Sequence, residues 1–161
     1  MSRRLLPLAA CSWLLASCGG PSAPITETLE IVEVTTGWYD AGIQNGLNKL
    51  VPSIGLRLRN AADSPVRNVQ LSAVFHRIDD DEPWGDSFLW IIRGSDDLEP
   101  GATTEVLNLR LGIGYTSSDP RAVMLDHSQF KDCRVKVYAK HGPALPVLIG
   151  EWDIERTMLT Q

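Results

Sequence analysis

The chain lacks any apolar run long enough to cross a membrane. Its most apolar stretch, residues 5–15, is eleven residues long, whereas a helix needs about 20 apolar residues to span a bilayer core. Arg3 and Arg4 precede this stretch, and a short apolar segment after a basic start is typical of a secretory signal. The sequence therefore predicts an exported protein without a permanent membrane-spanning helix.

Basic residues are also scarce. The chain has 15 Lys and Arg residues against 20 Asp and Glu residues, a formal net charge of −5. Removal of residues 1–17 takes away two arginines and no acid, which leaves 13 basic against 20 acidic residues and a charge of −7. This balance argues against nucleic acid, or an anionic membrane surface, as a direct partner.

Motifs of catalysis and cofactor binding are missing as well. The sequence has no G-x-S-x-G elbow, no P-loop and no dinucleotide fingerprint. His76, His127 and His141 share no metal-ligand spacing with one another or with Cys133. We therefore expect a non-enzymatic protein with no catalytic residues, no metal and no cofactor. A Ser-His-Asp triad stays open as an alternative, because such a triad assembles only in the folded chain.

What the chain does contain is a distinctive end to its apolar segment. Residues 15–18, Leu-Ala-Ser-Cys, resemble the lipobox of bacterial lipoproteins. In that family the cysteine thiol is diacylated and the chain is cut just before it, so the resemblance implies lipidation of Cys18 and a membrane anchor of palmitate-type chains. Gly19 follows rather than Asp, which in enteric lipoproteins implies the periplasmic side of the outer membrane. The alternative is a signal peptide cut at another small residue, with Cys18 incidental.

The chain then divides into three parts. Residues 1–17 are the predicted lipoprotein signal peptide, residues 18–28 a flexible tether that begins with small residues and prolines, and residues 29–161 one folded domain. With Cys11 removed and Cys18 lipidated, Cys133 is left without a disulfide partner. It stands in phase with apolar neighbours, which predicts a buried side chain; a reactive or intermolecular thiol is the alternative.

Two-residue alternation of apolar and polar side chains predicts an antiparallel β-sandwich of about seven short strands. The predicted strands cover residues 29–36, 54–59, 69–76, 88–93, 106–111, 134–140 and 147–157. A short helix is expected near 120–125, with Asp119 as its cap and Pro120 in its first position.

Part of this pattern is similar to immunoglobulin-like domains of the FxLYD and CARDB kind in bacterial envelope proteins. The resemblance lies in residues 51–75 and in the Leu-Glu-Pro-Gly turn at residues 98–101, and covers about a third of the chain. The aromatic motif that names the FxLYD group is not evident. The resemblance implies an immunoglobulin-like sandwich of the non-catalytic kind used for surface interaction or spacing, and it implies no site residues.

Two loop features are candidates for binding. The acidic run at residues 79–82, with Asp86 nearby, favours a solvated hairpin loop over a calcium site, because it lacks the spacing and the glycine of an EF-hand. The second feature is a set of aromatic and acidic side chains in the predicted loops 37–50, 79–87 and 112–119. This candidate binding surface consists of Trp38, Tyr39, Asp40, Trp84 and Tyr115.

The alternative for Trp38 and Tyr39 is that they cap the end of the sandwich core, while Trp90 and Trp152, in phase with apolar neighbours, are expected in the core itself.

Taken together, the sequence predicts a lipid-anchored, non-enzymatic lipoprotein of the bacterial cell envelope. We expect it to act as a protein-interaction or scaffold module with an envelope protein partner. The alternative is a lipoprotein that binds a glycan or another small ligand through its loop aromatics.

Overall fold

The structure, a computed structural model, describes residues 23–92 and 97–159. The predicted signal peptide, Cys18 and the first part of the tether lie outside these residues. The described residues form eight strands and two short helices. In chain order these are α1 (Ile25–Thr28), β1 (Leu29–Gln44), β2 (Leu47–Asn60), β3 (Val69–Arg77), β4 (Pro83–Trp90), β5 (Leu107–Arg110), β6 (Tyr115–Ser117), α2 (Arg121–Asp126), β7 (Cys133–His141) and β8 (Val147–Asp153).

The strands form two antiparallel sheets. In the first sheet β2 pairs with β1 on one side, and on the other side with β5 and, nearer its start, with β6. The second sheet has the order β4-β3-β7-β8. This distribution of strands is that of an immunoglobulin-like sandwich whose fourth strand pairs with the third. The predicted fold class, an all-β sandwich, is confirmed.

The core lies between the two sheets and follows from the alternation of side chains. In β3 and β7 every second residue is apolar and points inward, as the two-residue period of a strand requires. These inward residues are completely buried: Val69, Leu71, Ala73, Phe75, Val135, Val137 and Ala139. Leu56, Leu58 and Leu109 face them from the first sheet with at most 1% exposure. Burial of each large apolar side chain contributes about 1.5–3 kcal/mol, and the alternating pattern therefore fixes which face of each sheet is inside.

The prediction of a loop at residues 37–50 is wrong, because these residues form the end of β1, a two-residue turn and the start of β2. β1 continues to Gln44, and a two-residue turn at Asn45 and Gly46 leads directly into β2. Both turn residues have positive φ, 52° and 80°, which is the requirement of the tightest hairpin turn and the reason that Asn-Gly favours it. The Asn-Gly pair was the signal for this hairpin. Two other predicted loops are shorter than expected, since β4 begins at Pro83 and residues 115–117 form β6.

The short helix expected near 120–125 is present as α2, one residue later. Its N-terminal cap is Pro120, and no side chain caps it. Asp119 is not the cap, because its carboxylate accepts a hydrogen bond from Ser117 Oγ at 2.8 Å instead. At the other end of the chain, residues 25–28 of the predicted tether form the single turn α1, and the side chain of Ile25 is buried against the core.

Residues that follow β8 complete the edge of the first sheet. The backbone N–H of Trp38 donates to the carbonyl of Thr157 at 2.8 Å, and that of Leu159 donates to the carbonyl of Trp38 at 3.0 Å. A Cβ at Gly37 would lie 2.8 Å from Leu159 Cγ, so only glycine permits this approach. The segment 154–159 therefore covers the middle of β1, which would otherwise be an open edge.

The two ends of the sandwich carry different elements. At one end, here the tether pole, lie α1 and the loops 61–68 and 142–146; at the other, the distal pole, lie the β1–β2 turn, α2 and residues 127–132. The 14 residues of β2, at about 3.3 Å each, extend about 45 Å from the β1–β2 turn to the tether pole. No helix in the described part of the chain is long and apolar enough to cross a bilayer.

Candidate functional site

Four aromatic side chains form one cluster at the distal pole. The aromatic cluster consists of Trp38 from β1, Trp84 from β4, Tyr115 from β6 and Phe130 from the segment before β7. Ring centroids are 4.5 Å apart for Trp38 and Phe130, 5.3 Å for Trp84 and Tyr115, and 4.6 Å for Tyr115 and Phe130. Each tilted or edge-to-face pair contributes about 0.5–1.5 kcal/mol beyond its buried area. The cluster joins both sheets and closes this end of the core.

Within the cluster, Trp38 is completely buried. The expectation that it belongs to an exposed binding surface is wrong, and its position agrees with the alternative, a cap on the sandwich core. The prediction placed residue 38 in a loop. In the structure it lies on β1 of the β1–β2 hairpin, at a position where the side chain points into the core. Its indole Nε1 has no hydrogen-bond partner among the described residues.

Tyr39 and Asp40 do not join the cluster. Tyr39 is half-buried, and the Arg110 guanidinium lies 3.6 Å from its ring centroid, a cation–π geometry. Asp40 forms an ion pair with Arg121 of α2 at 2.5 Å and accepts a hydrogen bond from the Gly42 N–H at 2.9 Å. The Arg121 hydrogen bond, above all, holds the pKa of the Asp40 carboxyl below its usual value. Asp40 thus fixes α2 to the hairpin rather than facing a ligand.

A cleft of about 330 Å³ opens beside the aromatic cluster. This distal cleft has an apolar floor of Tyr115, Met124 and Phe130. Its rim is polar and consists of Thr116, Ser117, Asp119, His127 and Gln129. The hydroxyl of Tyr115 accepts a hydrogen bond from the Lys131 N–H at 3.2 Å, and burial raises the pKa of this phenol. The volume lies at the lower end of the range of small-molecule sites, which combine an apolar floor with a few polar groups.

Sequence reasoning identified one side of this cleft, the loop 112–119 with Tyr115, and missed the other side, which extends from Met124 to Phe130. Phe130 stands alone among polar residues, and nothing in its neighbourhood marks it as a partner of Trp38. Trp84 is half-buried, with the Arg77 guanidinium 5.8 Å from its ring centroid. Of the predicted surface, the structure therefore brings together Trp38, Trp84 and Tyr115, and leaves Tyr39 and Asp40 apart from them.

A second group of aromatics lies outside the core, on the outer face of the second sheet. Phe88 is 63% exposed and Trp90 is 39% exposed, both on β4. The pairing of β3 with its two neighbours places Ser72 and Tyr138 in the row of Phe88, and Gln70 and Lys140 in the row of Trp90. We call this surface the outer aromatic face.

The expectation that Trp90 lies in the core is wrong. Both alternating positions of this strand are apolar, so the pattern could not decide which set is inside. The register decides: Leu89 lies opposite the inward Leu71, whereas Trp90 lies opposite the outward Gln70. Trp152 is partly buried and packs against the core, as expected.

The remaining polar candidates are occupied or separate. In the acidic turn, Asp79 pairs with Lys131 at 2.7 Å and Asp80 with Arg77 at 2.5 Å. The pKa of Asp80 is lowered, chiefly by the Arg77 hydrogen bond. Nowhere in residues 23–92 and 97–159 do three or more His, Cys, Asp or Glu side chains form a group that could hold a metal ion.

Cys133 is completely buried at the start of β7. Burial raises the pKa of its thiol to about 12, and a thiol that stays protonated is a poor nucleophile. The interpretation as a small buried side chain is confirmed.

Comparison with known proteins adds no relative. No known protein family matches the chain, and no curated protein sequence is significantly similar to it.

Proposed function

We propose that this chain is a lipid-anchored, non-enzymatic lipoprotein of the bacterial cell envelope that binds a protein partner through the outer aromatic face. The anchor is the lipid on Cys18, for which the basic start, the short apolar segment and the Leu-Ala-Ser-Cys sequence provide the support. The periplasmic side of the outer membrane is the proposed location, and an immunoglobulin-like spacing or interaction domain of the FxLYD or CARDB kind is the proposed family type.

The exposure of Phe88 carries the proposal. A phenylalanine side chain that is 63% exposed on the outer face of the edge strand β4 contributes little to folding, and Trp90 lies two residues further along the same face. Large aromatic side chains supply most of the binding energy in many protein interfaces. Two of them side by side on a rigid sheet form a preorganised contact surface.

The charges around the face indicate the chemistry of the partner. Arg134 pairs with Asp153 and Glu151, and Lys136 lies 3.9 Å from Glu151. Lys140, in the row of Trp90, has no ion-pair partner among the described residues. The surface that complements this face is an apolar protein patch with a carboxylate at its edge, which pairs with Lys140 and desolvates Phe88 and Trp90.

Site-specific photocrosslinking in intact cells tests this proposal. A photoreactive phenylalanine analogue at position 88 is expected to give a discrete protein adduct. The matched control carries the same analogue in place of Asn108, an exposed residue on the outside of the first sheet. No adduct from position 88, or the same adduct from both positions, contradicts the proposed interface.

Substitutions in the crosslinking background test the chemistry. Trp90→Asp and Lys140→Glu are each expected to lower the yield of the position-88 adduct at least fivefold, because one removes apolar contact and the other opposes the partner's carboxylate. Asn108→Asp serves as the control substitution and leaves the yield unchanged. A position-88 adduct that is insensitive to both changes would show an incidental neighbour rather than a partner.

The distal cleft favours a second candidate function, the binding of a glycan or another small polar ligand. Its observation is the aromatic floor of Tyr115 and Phe130 under a mostly uncharged polar rim. Aromatic faces stack on sugar rings, and side chains such as Gln129 and Thr116 supply hydrogen bonds that fix orientation.

Tryptophan fluorescence tests this candidate, because Trp84 contacts Tyr115 and reports on the cleft. Titration with cell-wall glycan fragments is expected to change the emission of the native chain. Gln129→Ala weakens the response, whereas Asn108→Ala, remote from the cleft, does not. An unchanged spectrum across the glycan panel rejects the candidate.

A further inference from the structure

The tether pole carries an exposed apolar surface. Leu145 in the loop 142–146 is 85% exposed, the highest value among the large apolar side chains that the structure describes. Val147 and Leu148, at the start of β8, are 44% and 45% exposed. Residues 142–150 contain no charged side chain. Residues 142–150 are called the apolar loop surface here. This surface has no charged side chain, and its Leu145, Val147 and Leu148 are accessible.

The apolar loop surface lies beside the point where the chain enters the domain. A groove of about 430 Å³ separates the two, with Ile25 and Thr26 on one side and Pro143, Leu145 and Val147 on the other. Ile25 is buried, so the entry point is attached firmly to the fold. The loop and the N-terminal segment thus keep a constant relation to each other.

Chain length brings this surface close to the proposed anchor. Cys18 precedes Ala23 by five residues, and a fully extended chain covers at most about 3.6 Å per residue, about 18 Å in all. A lipid on Cys18 would hold the cysteine at the bilayer surface, and Ala23 could then lie no further than this from the cysteine. Ala23 and Leu145 line the same groove, so an anchor at Cys18 would also keep the loop that carries Leu145 close to the bilayer.

We propose that the apolar loop surface docks on the lipid bilayer, with Leu145 inserted into the interfacial region. This inference rests on the proposed lipid anchor at Cys18. The surface is expected to contact the apolar part of the bilayer rather than anionic lipid headgroups. Residues 142–150 carry no charge to attract such headgroups, and the chain as a whole is acidic. Interfacial binding then depends on buried apolar area, and the attached acyl chains keep the loop at the membrane.

Docking at this place would give the domain a defined orientation. The tether pole would face the lipid, and the distal cleft would point away from it, at the far end of the sandwich.

Fluorescence depth measurement on the full lipidated chain in phosphatidylcholine vesicles tests the inference. Leu145→Cys is labelled with an environment-sensitive dye, and Ile113→Cys, 53% exposed near the distal pole, is the matched control. Cys133 is buried and does not compete for the label. We expect the dye at position 145 to emit at shorter wavelength, with at least threefold stronger quenching by lipid-borne nitroxides than at position 113. Equal quenching at both positions overturns the inference.

A second label separates docking from misplacement of the dye. With the dye at Ala144→Cys, the added substitution Leu145→Asp is expected to abolish quenching by lipid, whereas Ile113→Asp leaves it unchanged. Unaltered thermal unfolding midpoints show that neither exposed substitution damages the fold. A blue shift without lipid quenching, which grows with protein concentration, would identify a second copy as the occupant and overturn the lipid proposal.

Failure of the anchor is distinguishable from failure of docking. Mass spectrometry of the mature chain shows directly whether Cys18 carries lipid, and an unmodified cysteine refutes the anchor. In that case the dye is attached at position 145 through an azide-bearing residue instead of a cysteine, a maleimide lipid is coupled to the thiol of Cys18, and the measurement is repeated. Quenching at position 145 then supports docking independently of natural lipidation, and its absence overturns docking.

Discussion

At the scale of single residues, Asn60 shows how one buried polar side chain organises the tether pole. It is 1% exposed, at the end of β2. Its Nδ2 donates to the carbonyls of Ser64 and Leu98 at 2.9 and 2.8 Å, and its Oδ1 accepts from the Ala62 N–H at 2.9 Å. The asparagine thus replaces backbone pairing where the strand stops, and it satisfies groups from two separate segments.

Replacement of this side chain leaves those groups buried without partners. Asn60→Ala is expected to lower the free energy of unfolding by about 3 kcal/mol, since three hydrogen bonds at about 1 kcal/mol each are lost. Urea denaturation measures the change. Asn108→Ala, at an exposed position, is the control and is expected to stay within about 0.5 kcal/mol. A cost below about 1 kcal/mol for Asn60→Ala would contradict this role.

The buried thiol of Cys133 predicts a pH dependence. Its pKa is about 12 in the folded chain against a reference value of 9.0, so above pH 9 the unfolded chain binds fewer protons than the folded one. Stability that is fully present below pH 9 is therefore lost as the pH rises toward 12, by about 1.4 kcal/mol per pH unit. The free energies of unfolding of the native chain and of Cys133→Ala, compared between pH 8 and 10, isolate this slope. Identical slopes would show that the thiol is not desolvated.

Tryptophan positions show what a sequence can decide about individual residues. The burial of Cys133 was predictable because only one phase of its strand is apolar. Trp90 was not, because Phe88 and Trp90 compete with Leu89 and Ile91 for the inside, and only pairing with β3 selects between them. The burial of Trp38 was predictable only if the β1–β2 hairpin was recognised. The place of Phe130 in the aromatic cluster was not predictable, because it arises from contacts between distant parts of the chain.

At the scale of elements, the β1–β2 hairpin determines the site more than any other unit. It places Trp38 inside and Asp40 within reach of α2. Its turn was readable from Asn45 and Gly46, whose residue types match the positive φ that the turn requires. The turn was therefore within reach of sequence reasoning, whereas the pairing of β6 with the start of β2 was not, since three residues carry no clear period.

The hairpin turn predicts unequal costs for two glycine substitutions. Gly46→Ala places a side chain at φ +80° and is expected to cost about 1 kcal/mol of unfolding free energy, although no atom obstructs the new Cβ. Gly112→Ala is the matched control, because its Cβ also meets open space and its φ lies outside the left-handed region. Chemical denaturation of both variants measures the difference. Equal costs would contradict the assigned turn geometry.

At the scale of the whole molecule, one core joins both sheets. The inward residues of β3 and β7 contact those of β2 and β5, and the aromatic cluster closes the distal end of the same core. The alternating pattern predicted this sandwich, because strands that are apolar on one face can bury that face by packing one sheet against another. The position of Ile25 at one pole and of the aromatic cluster toward the other required the structure.

A single core predicts a single unfolding transition. Tryptophan fluorescence and far-ultraviolet circular dichroism are expected to give superimposable denaturation curves. A reductant should leave both curves unchanged, since Cys133 is a free thiol. The measurement uses the Cys18→Ser chain to exclude intermolecular disulfides. Separate transitions for the two probes would indicate independently stable parts.

The pairing of Trp38 with residues 157–159 has a consequence for the order of biosynthesis. Leu159 follows Trp38 by 121 residues, so the hydrogen bonds between Trp38 and residues 157–159 can form only after the sheets between them have been made. Until then the backbone N–H and carbonyl of Trp38 lack these partners, and the pairing that covers this edge of β1 is among the last to form as the chain is made.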